Sequence, residues 1–289
     1  MSDLLPPLPR LAAVHDLSGL GKCSLTVALP IVSATGVECA CIPTAVLSTH
    51  TGEFTGWTLR DLHEDMLPIA RHWASTGAVF DGIYSGYLAT PEQTEAVREI
   101  IRLLRRPGAH VVVDPAMADN GSYYSNLDDR MCRAFRALLA DADVATPNIT
   151  EAALLADLEY RHDGHDEAYL RALAERLAAL GPKTVVITGV RPNAGEIGNL
   201  AYDAASGQIT MCVHEAHPGL FYGTGDIFAA SLAALLVRGA PVSDALRVAT
   251  DFTDACIRRS LRHDTPRRFG VDFEGALPDY IRAVERLFR

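Results

Sequence analysis

Short apolar runs rich in β-branched residues alternate along the chain with longer segments in which apolar residues recur at helical spacing. The short runs are typical of β-strands, and the longer segments are typical of amphipathic helices. Strands are predicted at Leu11–His15, Glu38–Pro43, Gly77–Tyr84, Ala109–Asp114, Asp143–Thr146, Thr184–Thr188, Gly198–Tyr202 and Gln208–Val213. Helices are predicted at Ser24–Thr35, Leu59–Ser75, Pro91–Arg105, Leu127–Ala140, Thr150–Leu158, Glu167–Leu180, Thr224–Arg238, Val242–Arg262 and near Pro278–Phe288.

Strands that alternate with helices indicate a mostly parallel sheet with helices on both faces. Only Asp203–Gly207 separates the last two predicted strands, so this pair is expected to form an antiparallel hairpin at a sheet edge. No repeat, low-complexity segment or linker divides the chain. We therefore expect a single domain over residues 1–289.

Composition and charge limit the kinds of partner. With 48% hydrophobic and 21% charged residues, the chain is expected to be a soluble globular protein. Lys and Arg number 26 against 36 Asp and Glu, a formal net charge of −10, and no basic patch favours nucleic-acid binding. No apolar run reaches the about 20 residues of a membrane helix, and the proline-rich Met1–Pro9 does not resemble a signal peptide. Six scattered cysteines, none in a Cys-x-x-Cys motif, indicate free thiols and a cytoplasmic protein.

Ligands of open α/β sheets bind at the carboxyl ends of the strands, so functional residues are expected in the segments that follow the strands. Gly223–Asp226 precedes an apolar, alanine-rich helix. Glycines let a phosphate approach the backbone, the first-turn amides point outward, and Asp226 is placed to reach a substrate hydroxyl. The alternative is an ordinary helix N-terminus with an acidic first turn.

Three further places in the sequence contain side chains suited to binding a metal ion, a phosphate or a substrate. Asp114–Gly121 places two carboxylates and an Asn-Gly turn after an apolar strand, which suits a hydrated Mg²⁺ or, alternatively, an ordinary polar loop. In Thr146–Glu151, one alternative is that Thr150 or Asn148 caps the next helix, with Glu151 in its first turn. The other is that Asn148 and Glu151 act on metal-bound water near phosphates. His50, in a polar loop, either contacts substrate or is a bystander.

Gly19-Leu20-Gly21 invites comparison with nucleotide-binding loops. The dinucleotide fingerprint needs Gly or Ala where this chain has Ser24. A Walker P-loop fails because Asp16 and Cys23 stand at its required Gly and Ser or Thr positions. A tight strand-to-helix turn is the favoured interpretation.

Taken together, the motifs resemble the pyridoxine/pyridoxal/pyridoxamine kinase family of the ribokinase-like superfamily, and the resemblance covers nearly the whole chain. The motifs that carry it are His15–Gly21, Ser48–Gly52, Tyr84–Leu88, Asp114–Gly121, Thr146–Glu151, Val186–Gly189 and Gly223–Asp226. The resemblance implies a three-layer α/β/α fold with a mostly parallel central sheet and an antiparallel edge. It also implies one ribokinase-like kinase domain and a homodimer.

The resemblance implies ATP-dependent phosphorylation of the 5′-hydroxymethyl group of a vitamin B6 vitamer (pyridoxal, pyridoxamine or pyridoxine), feeding pyridoxal 5′-phosphate salvage. Asp226 would take the hydroxyl proton, and the amides of Gly223, Thr224 and Gly225 would form the anion hole. This division suits phosphoryl transfer, which depends on positioning and charge stabilisation.

The resemblance also assigns the remaining site residues. Asp114 and Glu151 match metal positions for Mg²⁺, with K⁺ as a further cation. The positions that match nucleotide or phosphate contacts are Asn148, Glu151, Thr188 and Thr224. The positions that match substrate contacts are Asp16, Ser18, Thr51 and Tyr87, with His50 as a weaker match. The Thr44–Trp57 segment is expected to close over the substrate.

The chain departs from the family pattern at Ala118, where Gly is usual, and at Ser122, where Lys is frequent. It also lacks a cysteine directly before Gly223, so no covalent adduct with the pyridoxal aldehyde is expected. The alternatives are a hydroxymethylpyrimidine kinase and a non-catalytic protein that binds B6 or nucleotide. A nicotinamide-dependent oxidoreductase is the least favoured, because its glycine fingerprint is incomplete.

Overall fold

A computed structural model describes residues 7–289 of the chain. Met1–Pro6, part of the segment considered above as a signal peptide, lies outside the described residues. Within them, one nine-stranded sheet has the strand order β11-β10-β9-β8-β5-β4-β1-β2-β3, and a separate hairpin pairs β6 with β7. The strands are β1 Arg10–Ser18, β2 Glu38–Leu47, β3 Leu59–Asp61, β4 Phe80–Ser85, β5 Arg105–Val113, β6 Ala118–Asp119, β7 Ser122–Tyr123, β8 Val144–Ala145, β9 Thr184–Val190, β10 Glu196–Asp203 and β11 Ile209–Glu215.

Helices cover both faces of the sheet. The helices are α1 Leu25–Ala34, α2 His63–Ser75, α3 Pro91–Leu104, α4 Asp129–Leu138, α5 Ile149–Ala156, α6 Glu167–Ala178, α7 Thr224–Val237, α8 Val242–Ser260 and α9 Leu277–Leu287, with short 3₁₀ turns at Leu139–Asp141 and Arg267–Phe269. Successive residues of β1 point to opposite faces: Ala12 and Val14 join the core under α2 to α6, and Leu11 and Ala13 join the core under α1, α7 and α8. The predicted three-layer fold is confirmed.

The central strands are parallel, as predicted. β1 pairs in parallel with β2 and β4, and β5 pairs in parallel with β4 and β8. β10 pairs antiparallel with both β9 and β11, which confirms the predicted antiparallel edge. The carboxyl ends of the parallel strands therefore lie along one rim of the sheet.

The helix prediction over Leu59–Ser75 is wrong at its start. Leu59–Asp61 forms the short strand β3, antiparallel to β2. The Asp61 carboxylate then accepts a hydrogen bond from the His63 amide at 2.8 Å, where α2 begins. The conformation of Leu59–Asp61 depends on its pairing with β2, and the spacing of apolar residues in the sequence does not reveal that pairing.

A short hairpin between Ala118 and Tyr123 was not predicted. Its turn residues, Asn120 and Gly121, both have positive φ values of 50° and 78°, as a type I′ turn requires. The Gly121 amide donates to Thr150 Oγ1 at 3.0 Å, so the hairpin rests on the start of α5. Both departures from the family pattern, Ala118 and Ser122, lie in this hairpin.

Two further observations concern the environment of the protein. Among residues 7–289, no helix combines the length and the apolar character that crossing a membrane requires. All six cysteines, which lie within the described part of the chain, are free.

Candidate active site

The rim formed by the carboxyl ends of the strands opens into a cavity of about 650 Å³. Every site residue proposed from the sequence lines this cavity: Asp16, Ser18, Thr51, Tyr87, Asp114, Asn148, Glu151, Thr188, Gly223, Thr224, Gly225 and Asp226. His50 lines it as well. The structure thus brings these residues together around one cavity.

The N-terminus of α7 forms one wall of the cavity. Gly223 caps the helix with φ of 78°, a left-handed conformation that favours glycine. The amides of the first turn have no acceptor within the helix, and the helix dipole places partial positive charge there. Residues 227–236 are all buried, so α7 is anchored in the core. This wall is suited to receive a phosphate.

Asp226 is held at both carboxylate oxygens. Its Oδ1 lies 3.0 Å from His15 Nε2, and its Oδ2 accepts a hydrogen bond from the Ser24 amide at 2.9 Å. Its side chain is still 16% exposed and lines the cavity. The carboxylate is therefore oriented by His15 of β1 and by Ser24, directly before α1, and remains accessible to a substrate hydroxyl.

Asp16 and Ser18 form a buried pair at the end of β1. Ser18 Oγ donates to Asp16 Oδ2 at 2.8 Å. Burial would raise the pKa of Asp16, but hydrogen bonds from His15, Ser24 and Ser18 outweigh it and lower the pKa below its ordinary value. Asp16 is therefore ionised at neutral pH. The Ser18 hydroxyl is already engaged with Asp16, so its contribution to substrate binding acts through that carboxylate.

Tyr87 and Thr51 face the cavity from the other side. The Tyr87 hydroxyl accepts a hydrogen bond from Asn126 Nδ2 at 2.6 Å, and burial raises the pKa of Tyr87, so the hydroxyl is neutral. Thr51 is half-buried in the loop between β2 and β3. Both residues line the cavity.

His50 ties its loop to the rest of the cavity wall. Its Nδ1 accepts from the Gly52 amide at 3.1 Å, and its Nε2 donates to the Arg268 carbonyl at 2.6 Å. Its ring stacks on Tyr222 with centroids 4.9 Å apart. Both ring nitrogens are thus used within the protein, which favours a structural role for His50 over a polar contact with substrate. Closure of the Thr44–Trp57 segment over substrate stays a prediction.

Asn148 and Glu151 form a capping box at the start of α5. Glu151 Oε1 accepts from the Met117 amide at 2.9 Å and the Ala118 amide at 3.3 Å, and Oε2 accepts from the Asn148 amide at 2.9 Å. Asn148 Nδ2 donates to the Ala118 carbonyl at 2.7 Å. The two side chains therefore cap the helix, which was the structural alternative, and also shape the loop that follows Asp114.

Asp114 and Glu151 are two buried carboxylates in one environment. Burial and the charge of Asp226 raise the pKa of Asp114 to about 7. Burial and the charge of Asp114 raise the pKa of Glu151 above its ordinary value. A cation beside Asp114 would relieve this repulsion.

The donors around Asp114 fit a hydrated Mg²⁺. The buried Thr146 Oγ1 has no hydrogen-bond partner, and Thr146 lines the same cavity as Asp114. Within residues 7–289 there is no cluster of three or more His, Cys, Asp or Glu side chains that would hold a metal alone. Mg²⁺ commonly takes one or two carboxylates and completes its shell with water and phosphate oxygens. Because three amides already occupy Glu151, Asp114 is the better direct ligand.

One cavity residue at the end of β9, Arg191, was missed by the sequence analysis. The predicted Thr188, on the same strand, donates its amide to the Pro147 carbonyl at 2.9 Å and also lines the cavity. Among the lining residues that the structure describes, Arg191 alone is a lysine or arginine. Arg191 follows the carboxyl end of β9, so the rule that located the other segments would have found it.

Cys23 also lines the cavity, beside the Gly223 cap. A Cβ built on Gly223 would lie 3.5 Å from Cys23 Sγ. Burial, followed by the charges of Asp226 and Asp16, raises the pKa of Cys23 well above its ordinary value. The thiol therefore stays protonated and is a weak nucleophile. That no covalent aldehyde adduct forms stays a prediction.

Comparisons with known proteins agree with this geometry. The model of a family described as phosphomethylpyrimidine kinase matches residues 29–268. The chain is 31% identical over 238 residues to the pyridoxal kinase PdxY of Rubrobacter xylanophilus, covering 78% of this chain and 79% of that protein. It is 27% identical over 239 residues to a hydroxymethylpyrimidine/phosphomethylpyrimidine kinase of Rhizobium meliloti, covering 82% and 86%.

Solved structures show the same relationship. A protein of Bacteroides thetaiotaomicron, described as a candidate phosphomethylpyrimidine kinase and crystallised with pyridoxal, superimposes with a TM-score of 0.90 at 35% identity, covering 95% of this chain and 96% of that one. The pyridoxal kinase of Lactobacillus plantarum superimposes with a TM-score of 0.87 at 30% identity, covering 97% and 99%.

Fold and site together define a kinase of the ribokinase-like superfamily, an enzyme that transfers phosphate to an alcohol group. Within that superfamily, the chain belongs to the family that contains the phosphomethylpyrimidine kinases and the pyridoxal kinases. The family predicted from the motifs is confirmed.

Proposed function

We propose that the protein transfers the γ-phosphate of ATP to the 5′-hydroxymethyl group of a vitamin B6 vitamer. One observation carries this proposal: the Asp226 carboxylate, held by His15 and Ser24, lies in the first turn of α7, whose free amides line the same cavity. Relatives described as pyridoxal kinases and the Bacteroides structure with pyridoxal support the choice of substrate.

In the proposed reaction, Asp226 accepts the proton of the substrate hydroxyl as the alcohol oxygen attacks the γ-phosphorus. The new O–P bond forms as the bond to the β–γ bridging oxygen breaks, and ADP leaves. The amides of Gly223, Thr224 and Gly225 stabilise the charge on the transferring phosphoryl group. The Thr224 hydroxyl already donates to the Phe221 carbonyl at 3.0 Å. The backbone amide of Thr224 is therefore the group proposed for this contact.

The cation expected by this proposal is Mg²⁺, bound through Asp114 with Thr146 beside it. When bound, Mg²⁺ would neutralise charge on the phosphate oxygens. Asn148 and Glu151 keep the loop after Asp114 in place through the hydrogen bonds described above. K⁺ is a further cation proposed for the same region on family resemblance.

On the substrate side, Asp16 is the charged contact proposed for the pyridine ring. Ser18 fixes the Asp16 carboxylate, and Thr51 and Tyr87 supply neutral hydroxyls for the ring substituents. On the nucleotide side, Thr188 is proposed to contact ATP. We propose that residues 1–289 act as one kinase domain.

Replacing Arg191 by glutamine will raise the KM for ATP about tenfold or more. The cavity otherwise contains no lysine or arginine side chain among its described lining residues, and hydrogen bonds to charged groups contribute about 1.5–3 kcal/mol. Steady-state kinetics at varied ATP concentration measure the effect. The control is Arg102→Gln, whose guanidinium is 58% exposed on α3 and pairs with Glu99. If R191Q and R102Q have the same KM for ATP, Arg191 does not contribute to nucleotide binding.

The test of the proposed function is ADP release by the purified protein with ATP and Mg²⁺. The substrates are pyridoxal, pyridoxamine, pyridoxine and hydroxymethylpyrimidine, each assayed separately. Release that depends on a B6 vitamer, together with mass detection of the 5′-phosphate, supports the proposal and ranks the vitamers. Binding of ligands without release would favour a non-catalytic B6- or nucleotide-binding protein.

Hydroxymethylpyrimidine kinase is the second candidate function. The matched family model and the Rhizobium relative favour it. Both substrate classes are aromatic nitrogen heterocycles that carry a hydroxymethyl group, so one base and one anion site serve either. Release of ADP only with the pyrimidine would select this function over the first.

A cytoplasmic homodimer is proposed for the assembled enzyme. Six free cysteines fit a reducing compartment, and the dimer rests on family resemblance. Light scattering measures the mass of the protein in solution. A mass near 31.1 kDa, that of one chain, would reject the dimer.

A further inference from the structure

His15 is buried beside Asp226, and the proposed reaction gives it no part beyond that contact. Its Nε2 is 3.0 Å from Asp226 Oδ1, and its Nδ1 is 3.0 Å from both Asp16 Oδ1 and the Asp16 amide nitrogen. The side chain lines the cavity but is only 1% exposed, so the ring offers little surface to a substrate. One imidazole therefore joins the proposed base to the proposed ring contact.

The surroundings of His15 hold the ring in one orientation. The Tyr84 ring meets it edge-on, with centroids 5.9 Å apart. A Cβ built on Gly86 would lie 1.9 Å from His15 Nε2, so only glycine leaves room for the imidazole. The ring is thus packed closely by β4 while its two nitrogens face the two carboxylates.

The charges around His15 favour a protonated ring. A neutral imidazole with its proton on Nε2 donates to Asp226 and accepts from the Asp16 amide, whereas an imidazolium donates to both carboxylates. Burial alone would lower the pKa of His15, but hydrogen bonds to Asp16 and Asp226 raise it to about 10. The other titratable groups that act on it electrostatically are Asp114 from the end of β5 and Cys41 from β2.

We infer that His15 is a positioning residue for the phosphoryl transfer: it holds the carboxylates of Asp226 and Asp16 in one hydrogen-bonded unit, so that docking of the substrate ring and orientation of the base are coupled. The inference rests on the proposed function. Asp226 receives the substrate proton, and His15 keeps that carboxylate aimed at the hydroxyl until it does so. Asp16 in turn keeps His15 in place from the other nitrogen.

The first test replaces His15 by glutamine, which keeps an N–H donor but carries no charge and cannot bridge both carboxylates. We expect kcat to fall about 10- to 100-fold, with little change in the KM for ATP, because a displaced catalytic group costs about this much. An unchanged kcat in folded H15Q would overturn the inference.

The matched control is His263→Gln. His263 Nε2 also lies 3.1 Å from a carboxylate, that of Asp272, but the pair is outside the cavity. This variant should keep the kcat of the wild type. If H15Q lowers only the melting temperature, as a purely structural histidine would, and keeps the kcat of folded enzyme, His15 is not a positioning residue.

A second variant, Asp16→Asn, leaves His15 in place. Coupling predicts that D16N lowers kcat as well as raising the KM for the vitamer, because loss of the Asp16 carboxylate loosens His15 and, through it, Asp226. A rise in KM for the vitamer with an unchanged kcat would contradict the coupling. This measurement remains decisive if H15Q does not fold.

A measurement without turnover separates this inference from the proposed function. In protein labelled with ¹⁵N-histidine, the His15 ring signals are identified by their loss in H15Q. We expect a charged ring at pH 8 in the wild type and a lowered His15 pKa in both Asp226→Asn and Asp16→Asn. If the wild type phosphorylates no substrate, the proposed function fails, and these signals still decide whether the three side chains form one unit. A His15 titration that neither substitution alters would overturn the inference.

Discussion

Replacing Asp226 by asparagine will lower kcat by about 10²- to 10⁴-fold, the usual contribution of a general base. The amide oxygen can still accept from the Ser24 amide, which lies 2.9 Å from the native Oδ2, so the backbone around the site should remain in place. The amide cannot accept the hydroxyl proton. Affinity for the vitamer and for ATP should therefore stay close to that of the wild type.

Turnover is measured by ADP release, and affinity is measured by calorimetry on the same samples. The matched control is Asp244→Asn, because Asp244 is the acidic residue in the first turn of the neighbouring helix α8 and lies outside the cavity. D244N should turn over like the wild type. A fully active D226N enzyme would remove Asp226 from the role of base.

The second large effect concerns the two glycines that flank Thr224. Gly223 has φ of 78°, and a Cβ there would lie 2.1 Å from the Lys22 carbonyl oxygen, so Gly223→Ala must displace the loop that follows β1. A left-handed conformation costs a non-glycine residue about 1–2 kcal/mol before that clash is counted. Because the same loop carries the Ser24 amide that orients Asp226, G223A should lose both thermal stability and most of its turnover.

Gly225→Ala is the matched comparison. A Cβ built on Gly225 meets nothing within 4 Å, and Gly225 lies in the first turn of α7 and lines the cavity. Alanine is favoured over glycine within helices by about 1 kcal/mol, so the melting temperature should stay level or rise. The added methyl group should obstruct the phosphate and lower kcat/KM for ATP.

Thermal melts and ATP kinetics on both variants distinguish two roles for these glycines. G223A is expected to be unstable and inactive, and G225A is expected to be stable and impaired. A G223A protein that melts and turns over like the wild type would reject the close contact with Lys22. A fully active G225A enzyme would reject the anion site at Gly225.

The sheet architecture and the location of the site segments were predictable from the sequence, because both follow from local patterns of residues. Alternation of apolar strands with amphipathic helices determines a parallel sheet between helix layers, since strands joined by crossover helices run in the same direction. Ligands of such sheets lie at the carboxyl ends of the strands. The segments that begin at Asp114, Thr146 and Gly223 were therefore located before any tertiary structure was considered, and all three line the cavity.

Tertiary structure decided what depends on residues far apart in the chain. His15 contacts Asp226 across 211 positions, and no spacing rule connects them. Leu59–Asp61 became a strand because β2 lay beside it, and the Ala118–Tyr123 hairpin formed over the start of α5. Glu151 accepts from the Asn148 amide, as a capping box predicts, but also from the Met117 and Ala118 amides, 34 and 33 positions away. The physical reason is the same in each case: local sequence determines conformational preference and strand direction, whereas hydrogen-bond partners and buried charges depend on which elements pack together.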